Sequence, residues 1–199
     1  MAFEELEKIM EAHGFRVSVF STGEEAADYL DRAIDHTTVG CGGSMTVKEL
    51  GLFDRLGTHN ELYYHGTPGD REEILKNAAQ AEVYLLSANG IAADTGEILN
   101  IDGTGNRVAS SIYGHKRVYF VAGKNKISPD FASALWRVRN VVAPRNAQRL
   151  GRKTPCALKG DKCYDCNSPE RICRALSVHY RPLHGVETEV VLVDEELGY

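Results

Sequence analysis

Short apolar runs that read as strands alternate along this chain with segments whose apolar residues recur at helical spacing. That alternation restricts the fold more than any other feature of the sequence. Phe3, Leu6, Ile9 and Met10 share one helical face, and the pattern stops at His13 and Gly14. Residues 15–20 then alternate as a strand does. A capping signature at Ser21-Thr22-Gly23-Glu24-Glu25 precedes a second helix that reaches Ile34. Thr37 to Val39 reads as a short strand, residues 45–56 as a helix, Leu62 to Tyr64 as a strand and residues 71–81 as a helix. Val83 to Leu86 and Val118 to Val121 are apolar at every position, the pattern of strands covered on both faces. Between them, residues 92–99 read as a hairpin and 106–112 as a helix. Beyond them come a long helix over 131–142 and a terminal pair of strands at about 175–181 and 188–193. This interleaving predicts an α/β fold, a mostly parallel sheet with helices on both faces.

No repeat or low-complexity linker interrupts the pattern, so residues 1–199 are expected to form a single domain with a Cys-rich segment at 156–173. Apolar stretches run to four to six residues, far short of the roughly 18 that cross a bilayer. The first eleven residues hold four glutamates and no apolar signal core. A cytoplasmic protein with no membrane partner is the expectation. The net charge of −5 is unevenly spread: Lys116 to Arg181 carries 15 Lys/Arg against four Asp/Glu, on an otherwise acidic chain. Such a basic third attracts an anionic substrate, cofactor or partner, though two solvated faces of opposite sign give the same count. The overall negative charge and the lack of an aromatic-plus-basic recognition motif argue against nucleic acid.

Four of the five cysteines, Cys156, Cys163, Cys166 and Cys173, fall within 18 residues as a C-x6-C-x2-C-x6-C array. In a cytosolic chain such clustering favours metal binding or redox chemistry over structural disulfides. The C-x2-C core lets two thiolates converge on one metal or cluster, and the six-residue arms are long enough to fold back. Arg152, Lys153, Lys159, Lys162, Arg171 and Arg174 would offset thiolate charge. Four thiolates suit a [4Fe–4S] cluster or tetrahedral zinc. The spacing matches neither the common ferredoxin run nor the usual zinc ribbon, so both stay open, as do free or paired thiols.

A second motif turns a strand into a helix through glycines, at Gly40, Cys41, Gly42, Gly43, Ser44 and Thr46. Its glycines let backbone approach a ligand, and its amides and hydroxyls suit a small anion; a tight turn without a ligand reads the same way. It is neither a Walker A loop nor a dinucleotide fingerprint. Cys41 reads as a small buried residue or a fifth thiol. A third stretch, with Asn89, Asp94, Thr95, Gly96 and Asn106, is polar and Gly-rich just after a buried strand, where open α/β sheets place ligands. Asn-Gly and Asp-Gly turns are its plainer reading. Lys124 follows another central strand and is placed to reach the same crevice. The seven histidines show no metal spacing.

Together Val39 to Thr46, Ala93 to Arg107 and Val121 to Ile127 resemble the lactate-utilisation (LUD) domain, and Cys166 to Cys173 resembles the Cys-rich tract of its stand-alone members. The resemblance spans about residues 15 to 195. It implies a fold like the sugar-phosphate isomerase and coenzyme A transferase superfamily, with a ligand crevice at the strand ends. It also implies a part in oxidising L-lactate to pyruvate alongside other lactate-utilisation subunits that carry iron–sulfur clusters. The expectation is therefore an iron–sulfur subunit or accessory factor, with a small anion in the crevice and Asp94 as the candidate base. The alternatives are a zinc-stabilised, non-enzymatic binding or regulatory protein and a sugar-phosphate isomerase-like enzyme. Coenzyme A transferases of this fold carry a glutamate nucleophile where this chain reads Ser87-Ala88-Asn89-Gly90-Ile91, so covalent acyl transfer is not expected.

Overall fold

The computed structural model describes residues 3–199. Its centre is a six-stranded sheet, parallel at every pairing. The strands are β1 (Arg16–Phe20), β2 (Thr38–Cys41), β3 (Glu61–Tyr63), β4 (Val83–Ser87), β7 (Arg117–Gly123) and β10 (Glu187–Val193), in the order β1-β10-β7-β4-β2-β3. Along β7, Tyr119 and Val121 point to one face and Val118, Phe120 and Ala122 to the other, as the two-residue period of a strand requires. Both sets are buried, which explains the unbroken apolar run.

The first face is covered by α2 (Gly23–Ala33), α3 (Met45–Glu49) and α4 (Leu52–Leu56), through residues such as Ala26, Leu30, Val47 and Leu52. α2 begins with the capping box read from the sequence: Glu25 N donates to Thr22 Oγ1 (3.2 Å) and Thr22 N to the Glu25 carboxylate (3.1 Å). The single helix expected over 45–56 is two, because Gly51 adopts φ 65° and splits it. The second face takes α1 (Phe3–Ala12), through Leu6 and Met10, and α5 (Arg71–Gln80), which packs on β2.

A second sheet covers the rest of that face. It contains β5 (Gly90–Ala92), β6 (Ile98–Asp102), β8 (Ile127–Ser128) and β9 (Ala175–His179), in the order β8-β5-β6-β9. β5 and β6 form the hairpin expected at 92–99. The two last strands do not pair with each other. β9 runs antiparallel to β6, whereas β10 slots between β1 and β7 in the main sheet. Burial decides this: Val190 to Val193 are all inaccessible and need cover on both faces, which a two-stranded terminal ribbon cannot give.

α6 (Asn106–Ile112) follows β6. The long helix expected at 131–142 begins as α7 (Phe131–Arg137), widens into a π turn at Val138–Val142 and continues as α8 (Ala143–Arg149). Pro144 sits in the first turn of α8, where its missing N–H costs least, and the wider turn before it accommodates the ring. The short α9 (Pro155–Lys159) opens an irregular segment that runs to β9. Among the described residues, no helix is long and apolar enough to cross a membrane.

Candidate functional site

A cavity of about 390 Å³ opens where the chain leaves β2 and β4. This is the edge at which open parallel sheets bind ligands, because the loops after neighbouring strands diverge there. Its floor is Gly43, Ser44 and Thr46 after β2 and Ser87 and Asn89 after β4. Ser44 caps α3, accepting from Val47 N at 3.3 Å. Thr46, almost wholly buried, lies 3.1 Å from Ser87 Oγ and donates to the Leu197 carbonyl at 3.3 Å. Asn89 ties β4 to β6, its Oδ1 accepting Ile101 N at 2.8 Å.

The glycines of the first loop serve packing. A Cβ on Gly40 would lie 2.2 Å from the Ala78 carbonyl of α5, and one on Gly42 would lie 2.3 Å from Cγ of Arg107. The absent side chain at Gly42 therefore lets the Arg107 stem pass over the loop to the cavity. The Arg107 guanidinium donates to the Ile101 carbonyl (2.7 Å) and stands 3.6 Å from Asp102. Asp102 is itself occupied by backbone, accepting the N–H groups of Gly103, Thr104, Arg107 and Val108 at 2.7–3.3 Å. Asn106, which opens α6, also lines the cavity.

The walls are strongly basic. Six arginines line them, Arg71, Arg107, Arg149, Arg152, Arg171 and Arg174, together with Lys126. Two carboxylates, Asp102 and Glu170, face the same space, and Glu170 accepts Lys153 N at 2.9 Å. Lys126 is only 2 % exposed, and its Nζ donates to the Tyr199 carbonyl at 2.5 Å. Burial first, and then the Arg137 charge, push its pKa down to about 7. The His65 imidazole, also on the wall, is held below its ordinary value by partial burial and by Arg71 and Arg107. Tyr199 accepts from Arg149 Nε through its hydroxyl at 2.7 Å, closing one end of the cavity.

Of the residues expected from the sequence, the structure brings Gly43, Ser44, Thr46, Asn89 and Asn106 to this cavity. Asp94, Thr95 and Gly96 are elsewhere. They form the exposed β5–β6 turn, where Gly96 packs on Ile9 and Met10 of α1 and Asp94 N donates to the Pro129 carbonyl. Lys124 points to solvent and pairs with Asp194 at 3.0 Å; two residues on, Lys126 is the lysine that turns inward. Cys41 is fully buried, and desolvation pushes its pKa up to about 12, which makes it an inert packing residue. The missed cations are Arg71 on α5, Arg107 on α6, Lys126 after β7, Arg149 on α8 and the arginines of the segment from 152 to 174. The excess of Lys/Arg between 116 and 181 signals those from Lys126 on, and Arg71 and Arg107 lie outside it.

All four clustered thiols are unpaired and partly exposed. Cys163 Sγ accepts Asp165 N at 3.3 Å and lies 4.0 Å from Arg139 Nη2, and Cys156 Sγ lies 3.2 Å from Thr154 Oγ1. Among the described residues, no three His, Cys, Asp or Glu side chains are gathered closely enough to hold a metal ion. By chemistry the four thiols fit a tetrathiolate site; by position no three of them converge on one point. The same segment forms one wall of the cavity with Pro169, Glu170, Arg171, Ile172 and Arg174. Arg171 links the two: it donates to the Cys166 carbonyl (2.9 Å), the Cys173 carbonyl (3.0 Å) and Asp165 (3.1 Å). Its pKa is raised first by Cys173 and then by Asp165.

A parallel sheet of this order flanked by helices defines an α/β protein, and the cation-lined cavity at its strand ends is the candidate site. The family is specific: the LUD domain model matches residues 3–193, and the chain belongs to the LUD domain family, which is associated with lactate utilisation. A DUF162 family protein from Deinococcus radiodurans has a similar structure, with a TM-score of 0.56 over 96 % of this chain and 95 % of that one. At 13 % identity this likeness speaks for the fold alone. No curated protein matches the chain.

Proposed function

We propose that this LUD-domain protein is an iron–sulfur subunit or accessory factor in the oxidation of L-lactate to pyruvate, with a small anion held in the basic cavity. The observation that carries the reading is the shared wall: the residues between Cys166 and Cys173 line the cavity that Lys126 and the arginines make cationic. Cys156, Cys163, Cys166 and Cys173 are the residues that would hold a [4Fe–4S] cluster, which supplies one-electron transfer when bound. The arginines orient the carboxylate of the ligand through fork-shaped donor pairs. Removing the proton from a 2-hydroxyl needs a base in the cavity. The Lys126 amine fills that role better than Asp94, because it lines the cavity and exchanges its proton at about pH 7.

Anaerobic purification followed by iron, sulfide and zinc determination tests this reading. It predicts about four iron and four sulfide per chain, lost when Cys163 and Cys166 are both changed to Ser. About one zinc and no iron would replace it with the zinc-clamped, non-enzymatic alternative. Unchanged iron in the double variant would remove the cysteines from the account.

A further inference from the structure

The charges around the cavity do not balance, and the imbalance describes the ligand. Both lining carboxylates are taken up locally, Asp102 by four backbone N–H groups and Glu170 by Lys153 N. Only Arg107 and Arg171 have a carboxylate within ion-pair distance. Among the described residues, Arg71, Arg149, Arg152 and Arg174 make no ion pair, yet all four line one cavity. Gathering like charges works against folding, and Lys126 meets part of that cost by releasing its proton. One carboxylate would leave most of this field uncompensated.

The cations also fall into two groups. Lys126 and Arg149 stand beside Tyr199 and Thr46, at the end of the cavity formed by the loop after β2 and the chain after β7. Arg107, Arg171 and Arg174 surround the Asp102–Gly103 turn, where Arg174 N donates to the Asp102 carbonyl at 2.9 Å and Gly103 abuts the Ile172 backbone. The volume of about 390 Å³ lies within the range of roughly 300–1,000 Å³ that encloses drug-sized molecules, more than a three-carbon acid fills.

We propose that the cavity takes a small polyanion, an organic phosphate or polycarboxylate with at least two anionic groups, one held at each end. This rests on the reading of the cavity as an anion site and narrows its ligand class. Guanidinium forks match phosphate and carboxylate oxygens alike, so the chemistry is shared and the experiment separates the two sources.

Titration calorimetry of the full chain at fixed low ionic strength, with inorganic diphosphate, citrate, orthophosphate, lactate and pyruvate, is the test. Diphosphate or citrate is expected to bind one site at least about tenfold more tightly than lactate or pyruvate. The tighter of the two names the source. Arg149→Gln at one end and Arg174→Gln at the other alter exposed side chains without ion pairs, so the fold tolerates them. Each is expected to weaken polyanion binding about tenfold and monoanion binding about twofold or less, with Arg32→Gln on α2 as the unaffected control. Equal affinity for monoanions and polyanions overturns the polyanion inference but leaves the anion site standing. No binding by any of the five overturns the anion site as well. Tight diphosphate binding that ignores Arg149→Gln and Arg174→Gln places the ligand elsewhere and also overturns the inference.

Discussion

Lys126, almost wholly buried on the cavity wall, shows what a single residue contributes here. Lys124 and Lys126 stand in the same post-strand run, and composition cannot tell them apart. A short 3-10 turn at Lys124–Lys126 decides it, turning the first lysine to solvent and Asp194 and the second inward. The inward lysine has a testable signature. Its pKa is depressed from 10.5 to about 7 in the folded chain, so between those values the unfolded state binds one proton more. Stability therefore rises with pH across that window, and the full penalty of burying the charge is present below about pH 7. Lys126→Met is expected to be more stable than the parent at pH 6 by about 2–4 kcal/mol, allowing for the lost bond to Tyr199. That advantage should fade toward pH 10. Urea melts at the two pH values check it, and an advantage independent of pH would mean Lys126 is already charged when buried.

At the scale of elements, the sequence was most legible where one periodic signal acted alone. The capping box at Thr22 and Glu25, the fully apolar strands β4 and β7, and the helix at 106–112 appear as read. Reading failed where tertiary contacts decided. Nothing local to residues 187–193 reveals that they enter the middle of the main sheet, and Pro144 concealed the continuation of a helix that carries Arg149 to the cavity. The irregular Cys-rich segment has no period at all, and its place is set by close approach: a Cβ on Gly103 would lie 2.7 Å from the Ile172 carbonyl oxygen and 3.1 Å from its Cα. Because the obstacle is backbone, Gly103→Ala must push the segment away. It is expected to cost about 1–3 kcal/mol and to speed proteolysis within residues 160–174. Limited proteolysis checks this, and unchanged cleavage would mean the segment is not seated on the β6–α6 turn.

For the molecule as a whole, the uneven charge turned out to be the most informative clue to the site. The basic residues between 116 and 181 come from a turn after β7, from α8 and from the Cys-rich segment, and the fold gathers them around the loops after β2 and β4. The glycines and small polar residues read from the sequence are divided by the fold into those that line the cavity, such as Ser44 and Asn89, and those, like Asp94, that make a turn against α1. The resulting account is that cavity and cysteine segment form one unit joined through Arg171. Alkylation of the individual cysteines, followed by peptide mass spectrometry with and without saturating diphosphate, tests that most directly. The account predicts that bound diphosphate slows modification of Cys166 and Cys173 several-fold, roughly in proportion to the order it imposes on the segment, while Cys41 stays unreactive in both states. Identical rates at Cys166 and Cys173 while diphosphate is demonstrably bound would contradict it.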